Sequence, residues 1–457
     1  MTMHQDLSQL DQLGPQLDRW CLEFLQALPQ RTVAWQGRPD LKALALPARG
    51  DGSGVALQQF MASIAPGLSA SAGPRYFGFV TGGVTPAALL ADRLVGCIDQ
   101  NVSTCGDSIA PLLEQQTIAW LRELLLLPDN FEGILTTGAT SANLLGLLCG
   151  RQFAGLAQGI DIAANGFGNS RIRLYAATPH ASTLKSAALA GFGRNNVAAV
   201  ATLPNSEAMD TADLARQLEA APDCAKIVIA SVGTVTGTYF DDLETIADLC
   251  QRHGAWLHAD GAFGLFARLL EHKRAWTQGI ERVDSITTDC HKWLNVPYDC
   301  GLFLTRHPQL LQQTCAVAAP YLDTGDSNPA PMDRGIENSR RFRALPVWMS
   351  LLAYGREGFA DLVARNCAQA AKLASWIDQS AAYHLLAPCR LNVVVFAPAT
   401  GESSAFLHKL NLRGRVFLTP GVWKGKPAVR AAFSNWRTRN ADVDILLQEL
   451  AALARDQ

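Results

Sequence analysis

The stretch TDCHKWLNVPYDCG, Thr288 to Gly301, sets a lysine among mostly apolar neighbours. Lysine is among the residues least often fully buried. Buried without a partner, it costs several kcal/mol or loses its proton. A neutral lysine amine is a nucleophile, which makes Lys292 a candidate for covalent chemistry; the plainer reading is a stem packed at a strand end with its head in water. Three other stretches carry residue types that such a lysine could use. In GILTTGATSANLLGL an apolar run enters Gly138, then Ala139, Thr140 and Ser141, then a helical pattern. Free N–H groups and the helix dipole favour an anion there, although Thr and Ser are also ordinary N-caps. In AWLHADGAFG, Asp260 closes an apolar run and precedes small residues. It is either a helix cap or the partner of a buried cation such as a protonated ring nitrogen, whose pKa an adjacent carboxylate raises. In AATPHASTLKSA, His180 lies between a strand and a helix. It is an N-cap or core residue, or a flat surface against an aromatic ligand.

The elements that must position these groups follow from hydrophobic patterning. From about residue 76, short apolar runs (GILTT, IRLYAAT, NVAAVAT, KIVIASV, AWLHAD, SITTD) alternate with helical stretches. Runs too continuous for a half-exposed sheet, separated by helices, predict a mainly parallel sheet covered on both faces. Ligands bind such sheets beyond the carboxyl ends of the strands, where Gly138, His180 and Asp260 fall, with Lys292 just past SITTD. Residues 1–75 read as amphipathic helices broken by Pro29, Pro39 and ARGDGSG; such a segment needs another surface to pack on. Residues 76–345 form a large α/β domain in this reading. Residues 346–457, with a long helix and the strand-like LNVVVFAP, RVFLTP and AVRAAFSNWRT, form a smaller α+β domain.

Composition narrows the function. The 457 residues are 48% hydrophobic and 18% charged, enough for a large core. The net charge of −2 comes without long charged runs, so neither nucleic acid nor an anionic membrane is indicated as a partner. The 11 cysteines form no CxxC pair and no Cys/His cluster at zinc spacing, so no metal site is expected and they read as free thiols of a reducing compartment. The amino terminus lacks the basic start and apolar core of a signal peptide, which makes a cytoplasmic location the expectation.

In chain order, the candidates are a phosphate cradle, a flat ring, a carboxylate at a strand end and a lysine 32 positions after it. These are the parts that hold pyridoxal 5′-phosphate (PLP), with the lysine as its Schiff-base partner and the carboxylate on the ring nitrogen. HKW, whose lysine is separated from DC by six residues, and which is preceded by HADGAFG, makes the chain resemble the group II PLP-dependent amino acid decarboxylases, the family of aromatic amino acid, histidine and glutamate decarboxylases. The resemblance runs from RYFGFVTGGVTPAALLADRL past RRFRALPVW. It implies an aspartate-aminotransferase-type (fold type I) α/β homodimer. It also implies roles: Lys292 as the Schiff-base lysine, Asp260 as the ring-nitrogen partner, His180 as the stacking histidine and Ala139 with Thr140 on the phosphate. Ala262 and His291 would line the cofactor, and Tyr76 and Phe77 would be a substrate-pocket aromatic pair.

The chain departs from that pattern at three places. Asp289 stands where the family often has Asn, an acid close to a phosphate. In GTVTGT the threonine expected near the cofactor aligns with Val235, with Thr234 and Thr236 as substitutes. The loop 323–339 has no tyrosine to protonate Cα, which leaves His180 or Tyr321 for that step. The expected reaction is decarboxylation of an L-amino acid to its amine, first an aromatic one on the strength of the family and of Tyr76, Phe77 and Phe79. The alternatives are another PLP reaction (aldehyde synthesis, transamination or carbon–carbon lysis) or a non-catalytic nucleotide-binding α/β protein. Fold and cofactor do not decide which bond breaks. Against the nucleotide binder, no GxGxxG or GxxxxGK[ST] sits at a strand–helix junction.

Overall fold

The computed structural model describes residues 2–35, 37, 45–316 and 330–455. Seven strands form the larger sheet: β1 (Glu132–Thr136), β2 (Ile172–Ala176), β3 (Val197–Ala199), β4 (Ala225–Ser231), β5 (Trp256–Asp260), β6 (Ser285–Asp289) and β7 (Gly301–Thr305). Their order is β1-β7-β6-β5-β4-β2-β3. Strands β2 to β6 pair in parallel, and β7 runs antiparallel to both its neighbours. A parallel return needs a crossover of a dozen or more residues, and only residues 290–300 link β6 to β7. That link therefore turns the chain back.

The strands read as unbroken apolar runs because both faces are covered. Along β4, Ile227 and Ile229 enter one apolar cluster while Val228 and Ala230 enter the other. Helix Ala139–Leu156 lies against the first face. It comes so close that a Cβ on Gly146 would stand 2.3 Å from the His258 ring of β5, so only glycine is accommodated there.

The smaller sheet is antiparallel, in the order β10-β11-β9-β8, from β8 (Tyr383–Leu385), β9 (Val393–Pro398), β10 (Thr419–Trp423) and β11 (Lys426–Ala432). The stretch RVFLTP contributes mainly the residues leading into β10, and β8 was not anticipated. Phe77 N–H donates to the Phe417 carbonyl, and Ala432 N–H to the Phe77 carbonyl. The backbone at 77 is thus tied to the smaller sheet.

Helices Met3–Leu7, Leu10–Ala27 and Ser53–Gln59 bury none of their residues. After the second of these helices Leu28 and Val33 are both buried, with Val33 N–H bonded to the Gly414 carbonyl. Among the described residues no helix is long and apolar enough to cross a membrane, and no cluster of His, Cys, Asp and Glu could hold a metal ion.

Candidate active site

The carboxyl ends of β4, β5 and β6 open into one cavity of about 350 Å³. Lys292 reaches it from a single helical turn, Cys290–Trp293, directly after β6. Its side chain is 18% exposed, so the head is not in open water; Nζ lies 2.9 Å from Asp289 Oδ2 and 5.7 Å from the Phe263 ring centroid.

Asp260 ends β5 on the same cavity. Its Oδ2 accepts from Asn143 Nδ2 and Thr183 Oγ1, both at 3.0 Å, and Oδ1 accepts from the Ala262 N–H at 3.3 Å. Asn143 is oriented from behind. His258 Nε2 donates to Asn143 Oδ1 at 2.9 Å, and His258 Nδ1 accepts from Ser285 Oγ at 2.8 Å. Burial holds His258 neutral, its pKa pushed down to about 4 against the pull of Asp260. Asp260 is thus fixed by neutral donors alone, and its charge is left for another cation.

Gly138 turns the chain from β1 into helix Ala139–Leu156 with φ 149°, a conformation that favours glycine. Ala139, Thr140 and Ser141 of the first turn line the cavity. The Ala139 N–H donates to Asp289 Oδ1 at 2.6 Å, and Asp289 is 2% exposed. The acid that departs from the family pattern therefore faces the helix start.

His180 caps helix Ala181–Leu189, its Nδ1 accepting from the Ser182 N–H at 3.1 Å, and lines the cavity as well. The two readings of this residue are compatible. A ring nitrogen that accepts from an amide carries no proton, so in neutral His180 the proton is on Nε2. The ring is open to solvent on one side, yet crowding by protein elsewhere lowers its pKa, opposed by Asp260. His291 lines the cavity; its Nδ1 accepts from the Cys300 N–H at 3.2 Å and its ring lies 4.4 Å from that of Tyr298. Burial also lowers the His291 pKa, with Asp289 pulling the other way. Ala262 lines the cavity too.

The expected aromatic pair is placed differently. Phe77 is 1% exposed and packs on Phe433 at 4.9 Å in the core of the smaller sheet, and Tyr76 stacks on Phe417 at 4.7 Å. The backbone bonds at 77 hold that side chain in the core. The cavity wall is instead made by Phe79 and Val80. Their φ angles of 55° and 61° are costly for bulky side chains and arise where the surroundings enforce them. Of the threonine substitutes, Thr234 lines the cavity together with Val235, and the Thr234 hydroxyl donates to Glu207. Thr236 is buried but is not on the wall. Tyr321 and residues 323–329 lie outside the described residues.

Arg430 of β11 was not singled out in the sequence. It is buried on the cavity wall, and its Nε and Nη2 have no hydrogen-bond partner. Burial pushes its pKa down to about 10, with Glu207 opposing. Asn143, Thr183 and His258 were likewise unassigned. His258 stands two residues before Asp260 in HADGAFG, the only local signal for it.

The arrangement fits PLP. Its cavity brings together a lysine, an anion-favouring helix start, a carboxylate held by neutral donors and a flat histidine. The family model of the pyridoxal-dependent decarboxylase conserved domain matches residues 38–398. The chain is 30% identical to an aromatic-L-amino-acid decarboxylase of Bacillus atrophaeus over 84% of this chain and 82% of that one. It is 25% identical to a 4-hydroxyphenylacetaldehyde synthase of Rhodiola rosea over 98% and 96%. Its fold is similar to that of Oryza sativa TDC solved with PLP and tryptamine, with a TM-score of 0.91 at 23% identity and 98% of each chain covered. The chain therefore belongs to the pyridoxal-dependent decarboxylase family and is a fold type I, PLP-dependent amino acid carboxy-lyase.

Proposed function

We propose that the substrate is an L-amino acid with an aromatic side chain and that the product is its amine. The observation that carries this reading is the apolar wall of Phe79, Val80 and Phe263 on the cavity that Lys292 enters. When bound, PLP supplies the electron sink for the pair left as the bond from Cα to the carboxylate breaks. Lys292 would hold the cofactor through Nζ. Asp260 would keep the ring nitrogen protonated, since a fixed carboxylate raises the pKa of an adjacent cation. Ala139 and Thr140 would hold the phosphate at the helix start. His180, Ala262 and His291, all on the cavity wall, would hold the ring in place. His180, with its proton on Nε2, returns a proton to Cα. The apolar wall keeps the departing carboxylate poorly hydrated, which favours loss of carbon dioxide.

A second reading rests on Arg430. A buried guanidinium with two unpaired nitrogens suits a substrate carrying a second carboxylate, which it would bind bidentately. One experiment separates the readings. The purified protein is offered each common amino acid under air, and carbon dioxide, amine, aldehyde and peroxide are measured. An aromatic amino acid yielding amine and carbon dioxide one to one supports the first reading. Preference for an acidic amino acid supports the second. Dominant aldehyde with peroxide would make the chain an aldehyde synthase.

We also infer a homodimer. Helix Leu10–Ala27 exposes Leu10, Leu17 and Leu22, and helix Pro86–Ile98 exposes Leu90, Leu94 and Ile98. Apolar faces of this kind mark contact surfaces, and twofold dimers are the commonest way to cover them. An active, monodisperse monomer in light scattering would rule this out.

A further inference from the structure

We propose that Asp289 is the chain's own occupant of the anion seat at the start of helix Ala139–Leu156, and that it sets how tightly the cofactor's phosphate is held there. The proposal rests on the reading of Ala139 and Thr140 as the phosphate seat. Asp289 is buried, with one carboxylate oxygen on the Ala139 N–H at 2.6 Å and the other 2.9 Å from Lys292 Nζ. Gly138 makes this approach possible. A Cβ there would stand 3.4 Å from Asp289 Oδ1 and 3.1 Å from the His291 ring.

Without cofactor the arrangement satisfies itself. The helix start has its anion, the buried lysine has its counter-charge, and the carboxylate has both. A phosphate arriving at the same N–H meets a negative charge in surroundings that screen it poorly, so the carboxylate must release Ala139. It also loses Lys292 once that amine engages the cofactor. These two partners of Asp289 are thus claimed by the same event, which leaves it His291 Nε2, 3.5 Å from Oδ1. An asparagine would still accept from Ala139 and would add an N–H donor where the carboxylate brings repulsion.

The test uses the full chain cleared of cofactor. Pyridoxine 5′-phosphate carries the phosphate without an aldehyde, and pyridoxine carries neither, so both isolate phosphate recognition from bond formation with Lys292. Binding is followed by tryptophan fluorescence. Asp289→Asn should bind pyridoxine 5′-phosphate at least about tenfold tighter than wild type, with pyridoxine unchanged. Asp289→Ser, neutral but too short to keep the contact, should shift the same way and serves if the asparagine variant fails to fold. Unchanged or weaker binding of the phosphate compound, or equal tightening of both compounds, overturns the proposal. If Lys292 is trapped normally by borohydride while Asp289→Asn leaves the phosphate preference unaltered, only the role of Asp289 falls. If wild type and variant alike fail to distinguish the two compounds, the phosphate seat itself is wrong and both readings fall.

Discussion

Asp260 and Asp289 close neighbouring strands of one sheet and line one cavity, yet their surroundings are opposite in kind. Asp260 is held by Asn143, Thr183 and the Ala262 N–H, neutral groups that fix it without consuming its charge. Asp289 is held by the Ala139 N–H and the Lys292 ammonium, groups that the reaction itself requires. A carboxylate stabilised by neutral donors remains available to a cation, whereas one stabilised by the working parts must be displaced before they work. Residue type therefore says little about role here, and the partners decide it.

The contrast can be broken most severely at the lysine. Lys292→Ala should remove the borohydride-trappable adduct and lower turnover by on the order of 10⁴ or more, with the fold retained by circular dichroism. An adduct persisting on another lysine would remove Lys292 from its place. Next in size, Asp260→Asn keeps the shape and removes the charge, and should cost on the order of 10²–10³ in kcat at saturating cofactor. It should leave the preference for pyridoxine 5′-phosphate over pyridoxine as in wild type, whereas Asp289→Asn changes that ratio. A variant at 260 that turns over like wild type, or one that alters the ratio, would erase the distinction between the two carboxylates.

The smallest effect concerns what stands behind Asp260. Burial holds the His258 pKa at about 4, below its ordinary 6.5. Between those values the unfolded chain binds a proton that the folded chain refuses, so stability falls as pH drops through that window, by on the order of 3 kcal/mol. Asp241, which accepts from the Ser231 and Met209 N–H groups, is pushed by burial up to about 6. Between about 6 and 3.8 it acts in the opposite sense, since the folded chain takes that proton first. His258→Gln should therefore lose less stability than wild type between pH 7 and 4.5 in urea unfolding. Coincident acid slopes would show that His258 is not the group refusing the proton.

Much of the site was legible because its parts lie at local boundaries. Gly138, His180, Asp260 and Lys292 each stand where an apolar run gives way to a helix or turn, and a parallel sheet brings such ends to one edge. The antiparallel return of β7 was also implicit, in the 11 residues between β6 and β7. Val80 was missed, and Phe79 was not set apart from Tyr76 and Phe77, because RYFGFV offers several aromatic and apolar residues in a row. Which of them faces the cavity depends on left-handed backbone at 79 and 80 and on Phe77 being tied to the smaller sheet.

What the sequence determined by itself is the alternation of apolar runs and helices, and with it the strand ends that carry a lysine, a carboxylate, a histidine and a hydroxyl-bearing helix start. Those are short-range properties, fixed by periodicity and by the residue that ends each run. Only the tertiary structure decided which carboxylate is free to serve a cation. Asn143 reaches Asp260 across 117 positions, and Ala139 meets Asp289 across 150. It also brought Arg430 from a hairpin of the second sheet to the cavity wall. Contacts of that range leave no periodic trace in the chain, because they arise from the packing of one element on another.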